Sequence, residues 1–435
     1  MSKARKIKEL EKAGAKLPRR SVVRQLTKAI LPWLGREEII VITGARQTGK
    51  SVLLYQLIYD QLLPKSENIH YFNLDLPGHR EFLSRHEPLI ELLSKSKKKA
   101  YVIIDEVQRL KEPGLFLKGL YDLHLPLKLV VSGSSALEIK SHVHEALTGR
   151  KIVFHLNSFN LEELASALFP QDGLKQILAD KNALATVINH FLVYGGYPAV
   201  TLAKDPKIKI RLLEELFTSY LEKDIKDFLK IENEIAFRNL LKVLASQIGN
   251  LVNKEELSNS LGIHKNTLDN YLFYLEQTFI VDFIRPFFRN RRKELLKNPK
   301  IYFRDLGLRN FAIGSFSALS FRPDKGPLFE NLSYLCLREA LGPFVPIHYW
   351  RTKAGAEVDF VIVPNLRPIP FEVKATVLKE FKISRSLRNF LLDYKPKKSF
   401  LFNLSLSGKY TAEGADIMFL GPAELLQLRS QELLE

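Results

Sequence analysis

The chain reads as stretches of two alternating periods. Apolar runs at 39–42, 68–74, 100–104 and 127–131 are short, nearly unbroken and bounded by polar turns. Such runs predict strands buried on both faces, hence a parallel sheet with helices over it. The stretch Val52-Leu53-Leu54-Tyr55-Gln56-Leu57 after the first run has helical spacing, as does 21–34 before it. Residues 1–20 are charged, lightly apolar and closed by Pro18-Arg19-Arg20, which suits a short helix or a basic arm. From 161 to 230 the period is mostly helical. It breaks at Tyr194-Gly195-Gly196-Tyr197-Pro198, where the glycines permit close backbone approach and the proline restarts a helix.

Beyond 233 the pattern changes twice. Residues 235–248 and 253–261 predict two helices, Gly262-Ile263 turns the chain, and His264 opens a third. Strands follow at 279–284 and 300–303, which outlines a winged helix. The last segment has a helix over 329–341 and strands at 347–351, 356–363 and 369–374. The organisation expected is a basic N-terminal arm (1–20), an α/β core (21–160), a helical lid (161–232), a winged helix (233–315) and a second α/β domain (316–435).

Composition narrows the function classes. With 435 residues, several domains are expected, and 46% hydrophobic content suits a well-packed soluble protein. Lys and Arg number 65 against 48 Asp and Glu, a formal charge of +17, which points to a polyanionic partner, most often nucleic acid. A single cysteine, Cys336, excludes an internal disulfide framework and fits a reducing cytoplasm. No run approaches the roughly 18 apolar residues of a membrane span. The basic start Ser2-Lys3-Ala4-Arg5-Lys6-Ile7-Lys8 lacks the apolar segment of a secretory signal, so a cytoplasmic protein without a membrane partner is expected.

The first apolar run leads into Gly44-Ala45-Arg46-Gln47-Thr48-Gly49-Lys50-Ser51 and then a helix. Strand, GxxxxGK[ST] and helix in that order form the context of a P-loop. Gly44 and Gly49 let backbone N–H groups wrap a phosphate, and the helix N-terminus adds partial positive charge. Lys50 is then expected on the β/γ-phosphates of ATP and the Ser51 hydroxyl on Mg²⁺. The third run ends in Asp105-Glu106, the pattern in which an aspartate holds Mg²⁺ through water and a glutamate polarises the attacking water. The fourth ends in Ser132-Gly133-Ser134-Ser135 at the edge where a parallel sheet gathers its ligands. Ser134 is the candidate γ-phosphate sensor there, with Ser132, Ser135 or a plain turn as alternatives.

These motifs, 44–51, 104–108 and 131–135, resemble the AAA+ ATPases of a widespread bacterial and archaeal group. Leu147-Thr148-Gly149-Arg150 and 194–198 match that group too, and the resemblance extends over all but the first twenty residues. Its members carry a C-terminal domain long described as of unknown function. The resemblance implies a P-loop AAA+ fold and a homo-oligomer, a hexameric ring if Arg150 completes a neighbour's site. A plain surface arginine is the other reading of Arg150.

Two further clusters carry chemistry. The third helix of the 233–315 segment opens with His264, Lys265 and Asn266, and the loop between its strands carries Arg285, Arg289, Arg291, Arg292, Lys293, Lys297 and Lys300 against Glu294 alone. A basic wing beside such a helix would bind DNA phosphates without reading sequence, although winged helices also serve as packing modules. In the last segment, Glu330 on a helix, Asp359 in an apolar strand and Glu372-Val373-Lys374 on the next resemble the PD-(D/E)xK nuclease core, a restriction-endonuclease-like fold. Residues two apart on a strand share a face, so Glu372 and Lys374 can meet Asp359. Asp359 and Glu372 would ligate Mg²⁺, Lys374 would orient water, and Glu330 could ligate through water. Val358 stands where that pattern has proline, and an internal ion pair with Lys374 would satisfy the buried acids equally.

The expectation is a Mg²⁺-dependent AAA+ ATPase that remodels or translocates on duplex or branched DNA. The alternatives are a nucleotide-dependent switch whose winged helix and C-terminal domain bind proteins, and an ATP-gated nuclease.

Overall fold

The computed structural model describes residues 3–66, 68–133, 147–222, 233–288 and 297–434, which divide into two compact units. The first unit holds residues up to 158 together with 277–279. Its sheet consists of β1 (Ile39–Thr43), β2 (Ile69–Asn73), β3 (Ala100–Asp105), β4 (Leu127–Gly133) and β5 (Lys151–His155), in the order β2-β3-β4-β1-β5. Every pair is parallel, as the unbroken apolar runs demand. Each sheet face has its own core. One gathers Ile39, Val41, Val102, Ile104 and Val131, and the other Ile40, Ile42, Leu53, Leu54 and Ile103. The alternation within β1 and β3 shows why both faces had to be apolar.

The second unit holds 159–276 and 280–435. Its first part is helical, and the corner at 194–198 is a tight one. A side chain on Gly196 would run into the carbonyl of Phe159, which accepts no such neighbour, and the Gly196 N–H donates to Asp305 Oδ2 at 2.9 Å. Nearby, Asp324 lies between two buried guanidiniums. Arg322 reaches it through Nε and NH2 at 2.9 and 2.8 Å, and Arg309 through NH1 at 2.5 Å. This pairing pulls the Asp324 carboxyl down to about 2 despite its partial burial.

Helices Glu234–Ser246, Lys254–Leu261 and Lys265–Gln277 follow, with Gly262 in the left-handed region at the turn between the last two. The strands expected as a wing are β6 (Val281–Pro286) and β7 (Lys300–Phe303), an antiparallel pair. They do not stand apart. β6 also pairs in parallel with β8 (Ile347–Arg351), joining β9 (Glu357–Ile362), β10 (Ile369–Lys374), β11 (Lys398–Asn403), β12 (Gly408–Ala412) and β13 (Ala415–Leu420) in one eight-stranded sheet. Its order is β12-β13-β11-β10-β9-β8-β6-β7. The helix Lys325–Leu341 is tied to β7 by Asn331, whose side chain both accepts from Phe303 N–H and donates to Phe303 C=O at 2.8 Å. Among the described residues no helix is long and apolar enough to cross a membrane.

Candidate functional sites

The glycine loop leaves β1 and enters the helix Lys50–Gln56. Gly44 and Gly49 have φ of +156° and +96°, and a side chain on Gly44 would collide with the Leu156 carbonyl. Thr48 donates to the Ala45 carbonyl at 2.9 Å, closing the loop on itself. Lys50 is buried, with Nζ 3.0 Å from Gly44 O and 2.8 Å from Ala45 O. Its ammonium therefore lies inside the curl of the loop, where an anion's oxygens would replace those carbonyls.

Asp105 ends β3 beside the loop's strand neighbours and is 1% exposed. Ser132 Oγ donates to its Oδ1, and Tyr71 donates to Oδ2 at 3.0 Å. Ser132 Oγ also accepts the N–H of Glu106 at 3.2 Å, so one hydroxyl sets both acids. Glu106 takes φ of +60°, an uncommon conformation for a residue with a side chain, and Gln108 Nε2 donates to its Oε2. Burial and the neighbouring Asp105 push the Tyr71 phenol far up, so it remains a donor. A loop curled around an ammonium and a buried carboxylate held on both oxygens are the parts with which Lys50, Ser51 and Asp105 could hold a nucleotide and its magnesium.

Sequence reasoning missed two supports of this site. Tyr71 comes from the adjacent β2 strand, where a polar-tipped aromatic among apolar residues was the available signal. Arg24 is buried and donates to Thr48 O at 2.6 Å and to Asn157 O at 2.7 Å, fastening the loop to the segment after β5. Of the sensor candidates, Ser132 is in contact with Asp105, and Ser134 and Ser135 lie outside the described residues. Arg150 is not drawn to its own chain's loop. Its backbone carbonyl accepts from Ile39 N–H, which puts it at the opposite end of β1, and its Nε donates to Asp122 Oδ1 at 3.0 Å.

In the second unit, His264, Lys265 and Asn266 are exposed at the start of the helix Lys265–Gln277. Arg289, Arg291, Arg292 and Lys293 lie outside the described residues. Lys300, read as part of the basic loop, is not a free cation. It is 2% exposed on β7 and pairs with Glu330 at 3.1 Å and with Glu357.

That pair leads to the C-terminal cluster. Asp359, Glu372 and Lys374 are brought together by the pairing of β9 with β10, and Glu330 is near enough to act electrostatically on Asp359 and Lys374. Glu330 Oε1 accepts from Tyr302 at 2.5 Å as well as from Lys300. Asp359 Oδ2 accepts from Val373 N–H at 2.7 Å, and Lys374 pairs with Glu372 at 2.7 Å. Burial and the adjacent Glu330 raise the Asp359 carboxyl to about 8. Among the described residues no group of three or more His, Cys, Asp or Glu is set to hold a metal ion. As arranged, Glu330, Asp359 and one oxygen of Glu372 are turned to ammonium, hydroxyl and N–H donors, so they do not fit a divalent cation.

The first unit is thus an α/β P-loop domain of AAA+ type: a parallel sheet, a glycine loop leaving its strand β1, and an acid pair at the end of β3. In agreement, residues 36–165 match the family model of an AAA domain. Residues 186–319 and 325–420 match two domains of unknown function, DUF8612 and DUF4143. An uncharacterized protein of Mycobacterium tuberculosis is 28% identical over 380 residues, 87% of this chain and 78% of that one. An uncharacterized protein of Methanocaldococcus jannaschii is 26% identical over 339 residues, 75% and 72% of the two chains. Among solved structures, a RuvB mutant of Thermotoga maritima aligns at 18% identity and TM-score 0.32, covering 63% of this chain and 95% of the other. ORC2 of Aeropyrum pernix in its ADP form aligns at 14% and 0.35, covering 62% and 89%. Scores that low carry no argument about function.

Proposed function

We propose that this protein is a magnesium-dependent ATPase whose turnover drives parts of the chain that contact DNA. The observation that carries the reading is the Lys50 ammonium curled in its own loop beside a carboxylate held on both oxygens. Backbone N–H groups of 44–51 and Lys50 hold the phosphates, while Ser51 and Asp105 hold the magnesium, which supplies charge neutralisation on the phosphate oxygens. Glu106, steered by Gln108, takes the proton of the attacking water. Arg150, directed away from its own loop, acts on a neighbouring copy in a ring, a homo-oligomer of hexameric type.

DNA is the partner supported by the +17 charge and by the exposed His264, Lys265 and Asn266 at the head of a helix that follows a tight turn. In this reading the segment 233–315 is a winged helix whose basic loop, with Arg289, Arg291, Arg292 and Lys293, grips phosphates. The domain 316–435 is of restriction-endonuclease-like fold, supported by Asp359 and Glu372 on neighbouring strands beside a helical Glu330.

The test is the ATPase rate of the wild type and Lys50→Ala, without DNA and with duplex or branched DNA, at low and moderate salt. Hydrolysis abolished by Lys50→Ala and stimulated by DNA, with stimulation falling steeply as salt rises, is expected. A wild type that neither binds nor hydrolyses ATP overturns the reading. Hydrolysis indifferent to every DNA supports instead a nucleotide switch acting on protein partners.

A further inference from the structure

The C-terminal cluster contains a cation of its own. Lys300 Nζ faces Glu330 and Glu357 at bonding distance, and Asp359 also acts on it. It is held there by more than charge. Asn331 clamps β7 to the helix that bears Glu330, Gly249 N–H donates to Ile301 C=O at 2.9 Å, and Gly249 itself packs against the Glu330 carboxylate. An ammonium has three protons to give, and here it meets the carboxylates of Glu330 and Glu357 directly. Beside it on β10, Glu372, 3% exposed, keeps Oε2 buried without a hydrogen-bond partner.

From this geometry we infer that Lys300 is the resident cation of the cluster. Its ammonium sits between Glu330 and Glu357 with Asp359 acting on it, so the cluster neither binds magnesium nor cuts DNA while Lys300 is seated. Glu357 is shared between Lys300 and Arg351, whose NH1 lies 3.6 Å from it, and Glu372 is paired with Lys374. Removing Lys300 leaves the carboxylates of Glu330 and Glu357 without the cation they share. The carboxylates that remain are the oxygen ligands that ions such as Mg²⁺ prefer. This inference rests on the nuclease-like reading of the C-terminal domain and is independent of the ATPase reading.

The experiment is a Mn²⁺ titration of the full chain, followed by electron paramagnetic resonance of free Mn²⁺, with Lys50→Ala in every sample to silence the loop site. The Lys300→Met variant should bind one Mn²⁺ at least about tenfold more tightly than its parent, and adding Asp359→Asn should remove that gain. Should Lys300→Met not fold, Lys300→Gln is melted with and without Mn²⁺, where a rise in midpoint supports the inference and no rise overturns it. The inference also falls if the parent binds Mn²⁺ in a manner abolished by Asp359→Asn, or if folded Lys300→Met gains no affinity. Mg²⁺-dependent cutting of DNA by the wild type, lost with Asp359→Asn, overturns it as well. Failure of the ATPase reading would leave these titrations unchanged.

Discussion

Replacing Asp324 by asparagine keeps the shape of the side chain and removes its charge. Arg309 is 1% exposed and would then be left with neutral acceptors alone: the Ala245 carbonyl, Asn310 Oδ1 and the new amide oxygen. Removing one partner of a buried pair costs about 3–5 kcal/mol. Asp324 itself is 23% exposed, so water offsets part of that, and about 2–3 kcal/mol is expected. The pH dependence is more telling. The carboxyl sits at about 2 in the folded chain against an unperturbed 3.8, a difference worth about 2 kcal/mol. Because the folded value is the lower, this stability is present above 3.8 and is lost as pH falls through 2. The gap between parent and Asp324→Asn should therefore shrink by about 1 kcal/mol between pH 5 and pH 3. Urea unfolding measures it cleanly, since the chain has only Trp33 and Trp350, and a Trp33→Phe background leaves Trp350 to report on the second unit. An asparagine variant as stable as its parent, or a gap that does not change with pH, would refute the reasoning.

Glu106→Gln should retain ATP binding by fluorescent-nucleotide titration yet lose hydrolysis by about 100-fold or more in single turnover; equal loss of binding would contradict the base assignment. Tyr71→Phe removes one donor to Asp105, and the Mg²⁺ concentration for half-maximal ATPase rate should rise about fivefold, equivalent to about 1 kcal/mol. Ser132→Ala should shift it further, because Glu106 N–H loses its acceptor too, so an order reversed between the two variants counts against this arrangement. Gly196→Ala forces a methyl group against the Phe159 carbonyl and should cost about 1–3 kcal/mol in Trp350-monitored unfolding, with ATP affinity unaffected.

The parts of the molecule legible in the sequence are those whose chemistry needs contiguous residues. A phosphate loop must wrap one anion within a single turn, so 44–51 announces itself. Glu372 and Lys374 share a face through the strand period alone. Other contacts depend on which strands become neighbours, and local pattern is silent about that. Tyr71 meets Asp105 across 34 residues, Lys300 meets Glu330 across 30, and Arg24 reaches Asn157 across 133. Lys300 was further disguised by following a run of exposed-looking cations. Its strand pairs with β6, which in turn joins β8, and so enters the sheet that holds Glu357.

That same pairing limits how the protein can be dissected. A fragment started at residue 316 would carry Glu330 and Glu357 without the lysine that neutralises them. It would also remove β6 from one edge of β8 and expose the backbone groups there that now pair with it. Such a piece would seek another strand to bind, most readily that of a second copy. Poor solubility of C-terminal fragments would then reflect where the chain was cut rather than an unstable fold.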